Sequence, residues 1–291
     1  MHVLTHVIIG GLAIGAIYAI VALGFVVVFK ATSVLNFAHG AFLMLGTYLA
    51  LTVFGALGWP FIVGLLVIAT LFAVLGVVLH YSVMRWMVGE PFFSVVLVTI
   101  GFEILIRVGL LTSYGPDAKG RVMSLPAGSF YVGKTLVPWT DVITAAAALA
   151  SVSIFFLFFK YTRVGLHMRA VADNLEAAAA QGIDPNRIYA AAWAIGLFMA
   201  GVGGVLYSQY TPSIDLDLGS IGLRAFPAAI IGGLTSPGGA IIGGLLVGIV
   251  ETAGVTYLGA NWRDPLAFGV MFVVLLLRPS GLFGERQLVR I

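Results

Sequence analysis

The sequence predicts an all-α polytopic membrane protein with about eight or nine transmembrane helices, one of them discontinuous, and a short cytoplasmic coupling helix. Three observations carry that class. Of the 291 residues, 60% are hydrophobic and only 9% are charged, whereas a soluble globular domain carries about 25% charged residues. Such a chain cannot cover its own surface with polar groups. Apolar runs long enough to cross the hydrocarbon core as helices, about 20 residues, recur along its length. These runs are continuous and do not alternate with polar residues, which excludes a β-barrel.

The apolar runs occupy 7–29, 37–57, 61–79, 92–111, 142–159, 188–210, 225–234 and 240–258, and a last run from Asp264-Pro265 to Leu277. The first is longer than the core of a secretory leader and has neither a basic start nor a cleavage site after it, so it reads as a membrane helix. Gly58-Trp59-Pro60 makes a tight turn between the second and third. Asp184-Pro185 reads as a helix start, because Asp caps free N–H groups and Pro fits the first helical position. The seventh run is short and interrupted by Pro227 and Gly232-Gly233. Broken helices persist at membrane depth only where they are buried in protein or line a wet cavity. We therefore expect nine crossings with the seventh discontinuous. The chain reads as one transmembrane domain over 1–291, with a polar external loop at 112–141 and a polar cytoplasmic segment at 162–185.

Lysine and arginine set the orientation. Nine of them (Lys30, Arg85, Lys160, Arg163, Arg169, Arg187, Arg278, Arg286 and Arg290) fall on one side. That side is expected to be cytoplasmic, with the N-terminus outside and the C-terminus inside. The net charge of +3 belongs to these loops and gives no footprint for nucleic acid. The absence of cysteine excludes disulfides, zinc–thiolate sites and thiol catalysis. The pairs Gly11/Gly15, Gly239/Gly243 and Gly244/Gly248 have the spacing that lets helix backbones approach closely, and we read them as packing seams.

One motif misleads. Gly128-Ser129-Phe130-Tyr131-Val132-Gly133-Lys134-Thr135 matches the phosphate-loop pattern GxxxxGK[ST]. That motif needs a buried strand before it and a helix directly after it. Here Pro126 precedes and Pro138-Trp139 follows, in a loop between membrane runs on the outer side. The stretch reads instead as a hairpin, strands 130–132 and 135–137 joined by a type II′ turn at Gly133-Lys134. No metalloprotease or nucleophile motif is present, so an enzyme is not expected.

The polar segment has the marks of a short capped helix. Asp173 and Glu176 form a capping-box spacing, 175–181 is alanine-rich, and Gly182 stands where a left-handed stop is wanted. Asp184-Pro185 then starts the next membrane helix. The whole is a rigid handle on the cytoplasmic face.

Several motifs together resemble the branched-chain amino-acid permease family of ABC transporters, LivH-like subunits in particular. Glu176-Ala177-Ala178 followed by Gly182-Ile183 resembles the EAA-type coupling loop of ABC importers, and Arg169-Ala170-Val171-Ala172-Asp173-Asn174 resembles the run before it. Asn36-Phe37-Ala38-His39-Gly40-Ala41-Phe42, the Phe226-Pro227 to Leu234 stretch, Ser236-Pro237-Gly238-Gly239-Ala240 and Leu277-Arg278-Pro279-Ser280-Gly281 resemble other signatures of that family. The resemblance runs over nearly the whole chain. It implies a permease subunit in a bacterial cytoplasmic membrane, paired with a homologous second permease, two cytoplasmic ATP-binding subunits and an extracytoplasmic solute-binding protein. ATP would be used by the partners, and this chain would hold no cofactor or metal. ATPase coupling would fall to Arg169, Asp173, Asn174, Glu176, Ala177, Ala178, Gly182 and Ile183. The solute is less sharply implied, since relatives carry urea, amides and other small solutes. A stand-alone channel or secondary transporter would also suit a broken helix but has no use for the handle.

Candidate pathway residues follow from charge. Charged side chains at the centre of a membrane helix cost ~2.5–3.5 kcal/mol and so face protein or water. Glu103 and Arg107 share a helical face and are expected to pair, either structurally or as receivers of a zwitterion. Glu251 is expected to meet Arg107, Arg224 or Arg263. Asn36 and His39, near the cytoplasmic mouth of the second helix, are gate residues or interfacial hydrogen-bonders. Pro227 marks the break in the seventh run.

Overall fold

The computed structural model describes residues 2–120, 124–126, 128–132 and 135–284. Its helices are α1 (His2–Thr32), α2 (His39–Ala50), α3 (Phe61–Leu79), α4 (Arg85–Met87), α5 (Phe92–Tyr114), α6 (Trp139–Tyr161), α7 (Arg163–Asp173), α8 (Leu175–Ala180), α9 (Pro185–Tyr210), α10 (Ser220–Gly232), α11 (Pro237–Leu258) and α12 (Arg263–Leu277). Wider π-helical turns extend α2 through Leu51–Ala56 and link α3 to α4 through His80–Met84. Eight spans among the described residues are long and apolar enough to cross a membrane. The expected broken pass adds a ninth.

Helix α1 lies at the centre. Of the residues in its most apolar stretch, 89% are buried, against 17% for α5 and 6% for the stretch containing α12. Glycine explains the position. A Cβ on Gly11 would lie 2.8 Å from Ile249 Cα, and one on Gly15 would lie 2.9 Å from Leu245 Cα. Across the seam, Gly244 and Gly248 abut the backbones of Ala19 and Gly15. Without a hydrophobic drive in lipid, helices associate through such close packing, so α1 and α11 run antiparallel in near backbone contact. Gly239 and Gly243 pack instead against Gly232 and Ala228 of α10. The three expected seams are all present.

The broken pass has a definite form. Just before α10 lie strand β4 (Ser213–Ile214) and a 3-10 turn, Leu216–Gly219. Helix α10 has 13 residues, which is about 20 Å of rise against a hydrocarbon core of ~30 Å. It therefore covers only part of the depth. Its end touches the start of α11, and Leu282 and Phe283 donate backbone N–H groups to Ile231 and Gly232. The chain after α12 thus returns to the face that carries α7 and α8, here called the handle face.

The opposite face carries two small antiparallel pairings. Strand β1 (Lys119–Gly120) pairs with β4, and β2 (Ser129–Val132) pairs with β3 (Thr135–Pro138). The second is the hairpin expected at the phosphate-loop lookalike, and the helix after it begins only at Trp139. The turn itself, Gly133-Lys134, lies outside the described residues, as do Arg286 and Arg290 of the orientation argument.

Two local expectations are corrected. Helix α2 starts at His39, not at residue 37, because Asn36 Oδ1 accepts from Ala38 N–H (3.1 Å) and holds a non-helical turn. The last helix starts at Arg263, and Asp264 does not cap it; its carboxylate is taken by Arg224 at 2.6 Å.

Candidate functional site

A cavity of about 390 Å³ opens between α5, α10 and the turn into α2. Phe25, Phe37, Glu103, Arg107, Ser220 and Phe226 are among its walls. Its volume lies within the range of small-molecule sites, about 300–1,000 Å³. The wall opposite α5 is the broken pass, whose non-helical turn meets Arg107. Glycines bring that wall in: the backbones of Gly40 and Gly222 touch, so α10 crosses the start of α2 with no side chain between them.

The expected Glu103–Arg107 ion pair does not form. Arg107 Nη2 donates to the Leu216 carbonyl at 2.9 Å and to Asp217 Oδ1 at 3.5 Å. The 3-10 turn of the broken pass presents both acceptors to it, and they outcompete a carboxylate on the same helix. Glu103 makes no ion pair among the described residues and faces the cavity. Asp217 is 94% exposed and Arg107 45% exposed in the isolated chain. Charges so exposed on a membrane-spanning face do not suit lipid. They suit a wet path or a covering subunit.

The other expected pathway residues separate into two groups. Asn36, His39 and Pro227 lie beside the cavity without lining it. Asn36 holds the turn that carries Phe37, and Pro227 follows Phe226 inside α10. His39 is fully buried against Gly24 of α1, with its ring 4.4 Å from that of Phe25. It is the first residue of α2 and a core residue behind the wall, with no exposure to the surface. Glu251 is elsewhere. It is buried and bound to Arg263 at 3.0 Å, in a separate cavity of about 180 Å³ lined also by Tyr18, Tyr207 and Tyr210. Sequence reasoning missed Phe25, Phe37 and Phe226 as wall residues and Asp217 as the partner of Arg107. The signal for Asp217 was available in its place, a carboxylate just before a broken run.

The handle is more structured than expected. Thr162 caps α7 by accepting from Gly165 N–H at 3.1 Å. Met168 and Val171 of α7 are buried. Arg169 donates to the Phe159 carbonyl and lies over the Phe159 ring, so it ties α7 to the end of α6. Asn174, not Asp173, caps α8, accepting from Ala177 N–H at 2.9 Å. Asp173 is spent as the last residue of α7, and this removes the expected capping box. Glu176 and Ala177 are exposed, and Ala178 is buried. Gly182 has φ +81°, and Ile183 N–H closes the helix end on the Ala178 carbonyl at 3.1 Å. Asp184 then caps α9, accepting from Asn186 N–H at 3.0 Å with Pro185 in the first turn.

A charge-lined cavity inside a bundle of membrane-length helices suits a membrane transport permease. The family model described as "Branched-chain amino acid transport system / permease component" matches residues 7–275, and the chain belongs to that family. It is 30% identical over 302 residues to the high-affinity branched-chain amino acid transport system permease protein LivH of Escherichia coli (strain K12), covering 97% of this chain and 96% of that one. It is 28% identical to the corresponding BraD protein of Pseudomonas aeruginosa, over 98% and 97% of the two chains. A probable branched-chain amino acid permease of Methanocaldococcus jannaschii is 25% identical over 94% of this chain. No solved structure matches. The chain is a permease subunit of the ABC importer type.

Proposed function

We propose that this permease passes branched-chain amino acids through the cavity between α5 and α10. The observation that carries this is the presence of Glu103 and Arg107 on one wall of that cavity, inside a membrane span. An amino acid brings one charge of each sign on a single carbon. Its carboxylate pairs with Arg107, which has further guanidinium donors beyond the one used on Leu216 and Asp217. Its ammonium pairs with Glu103. The relatives named for branched-chain amino acids support the choice of solute.

The exposed charges of α5 and the 3-10 turn need a cover other than lipid, and a homologous second permease meets that need. The handle face is cytoplasmic in this reading, with the C-terminal segment on the same side. Two ATP-binding subunits grip Glu176 and Ala177 there, while Ala178 seats α8 against the bundle. Gly182, Ile183 and Asp184 carry motion into α9. Arg169 and Asn174 are positioning residues, the first for α7 and the second for α8, and Asp173 ends α7 at the grip. The solute-binding protein docks on the hairpin face. The chain itself holds no cofactor.

The test is reconstitution in lipid vesicles with the partner subunits. ATP hydrolysis stimulated by binding protein loaded with leucine, isoleucine or valine, and not by binding protein loaded with urea or a sugar, is the expected result. Stimulation by another solute class alone would overturn the assignment.

A further inference from the structure

The cavity has a direction. Phe37 N–H donates to Thr99 Oγ1 of α5 at 3.4 Å. From that level α5 climbs toward the hairpin face through Ile100, Glu103 and Arg107 in turn, all cavity residues. The charged end therefore lies outward, and the end nearest the handle face is aromatic. Three elements supply its rings: Phe25 from α1, Phe37 from the turn into α2 and Phe226 from α10. The Phe226 ring stands 6.0 Å from Phe25, edge-on, and 6.1 Å from Phe37.

We propose that Phe25, Phe37 and Phe226 are the handle-side gate of the path and the pocket that receives the solute's side chain. The permease itself then favours an uncharged aliphatic side chain, independently of any selection made before delivery. This rests on the cavity being the solute path, as proposed above.

Two of the three rings sit on backbone that is non-helical or carries a proline inside its helix. Phe37 lies in the non-helical entry to α2, a segment that starts at Ser33 with φ +56°. Phe226 precedes Pro227, which lacks the N–H that would bond one turn back and so loosens α10 at that point. Both rings can therefore move without unwinding a membrane helix. The contact between Gly40 and Gly222 joins the same two segments through bare backbone, which lets them slide without disengaging side chains. Behind the rings, Asn36 Nδ2 and both ring nitrogens of His39 are buried and make no hydrogen bond of good geometry. Buried polar groups are rarely left unsatisfied. Here they lie against the rings that would part, so gate opening would bring water to them.

The chain's lack of cysteine makes a direct test simple. In the assembled importer in vesicles, a Phe37→Cys, Phe226→Cys pair joined by a short bis-methanethiosulfonate reagent, each thiolate displacing methanesulfinate to form a disulfide, should lose ATP-driven leucine uptake at least ten-fold and regain it when a thiol reductant cleaves the link. Separately, Phe226→Ala should lower the uptake ratio of leucine to glutamate by about ten-fold, the scale of discrimination a pocket wall supplies. Phe226→Leu, which keeps an apolar plug, should restore the ratio and separates a pocket effect from misfolding. A cross-linked pair that imports at the uncrosslinked rate overturns the gate and leaves the functional reading standing. An unchanged ratio in Phe226→Ala overturns the side-chain pocket. A wild-type complex that leucine does not stimulate overturns the functional reading, and the pocket with it.

Discussion

Helices α1 and α5 are both long apolar spans, yet one is at the centre of the molecule and the other at its edge. Their mean hydropathies, 2.7 and 2.1, do not foretell this. Small residues do. On α1 the glycines meet backbone at every turn of the α11 seam, and a single Cβ there would collide. On α5, Gly101 and Gly109 face open space, with nothing within 4 Å of an added Cβ. The same residue type builds an interface in one helix and leaves a free surface in the other. What α5 carries instead is charge, Glu103 and Arg107, and that charge marks the face that lipid cannot cover. In this bundle, the glycine seam between α1 and α11 identifies the fixed frame, and exposed charge identifies the working wall.

That contrast can be broken most severely at the seam. Gly248→Leu drives a side chain into Gly15 and should cost at least the ~1–3 kcal/mol of ordinary overpacking. The expected outcome is loss of monodisperse protein after detergent extraction, read by size-exclusion chromatography. A normal elution profile would mean that the α1–α11 seam is not the frame. Arg107→Gln comes next. It should leave extraction unchanged and reduce leucine uptake about ten-fold or more, the loss expected when a charged hydrogen bond of ~1.5–3 kcal/mol is removed. Equal damage to folding and uptake would move Arg107 from wall to frame.

Gly182→Ala is a milder probe. No atom opposes the new methyl, so the effect is conformational alone, about 1–2 kcal/mol for a left-handed residue. Because that residue joins α8 to α9, the change should appear as fewer solute molecules imported per ATP hydrolysed. The smallest effect is expected at Gly101→Ala. Nothing opposes it, and Ala is the better helix former by ~0.8–1 kcal/mol. Thermal unfolding of the isolated subunit in detergent should shift upward or not at all, and a clear drop would mean that α5 packs more tightly than its open surface implies.

Much of this was legible in local chemistry. Ser236 and Asp184 cap the helices their sequences announce, Gly182 takes its left-handed stop, and the hairpin replaces the phosphate loop. These depend on a few neighbouring residues. The handle's first helix, α7, was missed because its mixed polar sequence has no glycine stop like that of α8; its cap at Thr162 and its packing of Met168 and Val171 fix it. The partners of Glu103, Arg107 and Glu251 were not readable beyond a short list. Arg107 reaches across 110 positions to Asp217, and such pairings are decided by how the passes stack. The aromatic wall was invisible for the same reason, since Phe25, Phe37 and Phe226 come from three separate stretches.

Helix α9 spans the molecule from one face to the other. Its 26 residues rise about 39 Å, from the capped junction at Asp184 to the opposite face. There Gln209 Oε1 accepts from the backbone N–H and the hydroxyl of Ser124 in the outer loop, at 3.0 and 3.1 Å. One uninterrupted rod therefore ends in the handle at one side and in a hook on the outer loop at the other. Coupling through such a rod is reciprocal. A rigid rod of this kind would carry a displacement at the handle to the hook, and by linkage a partner pressing on the loop of the hairpin face would act on the handle with the same free energy.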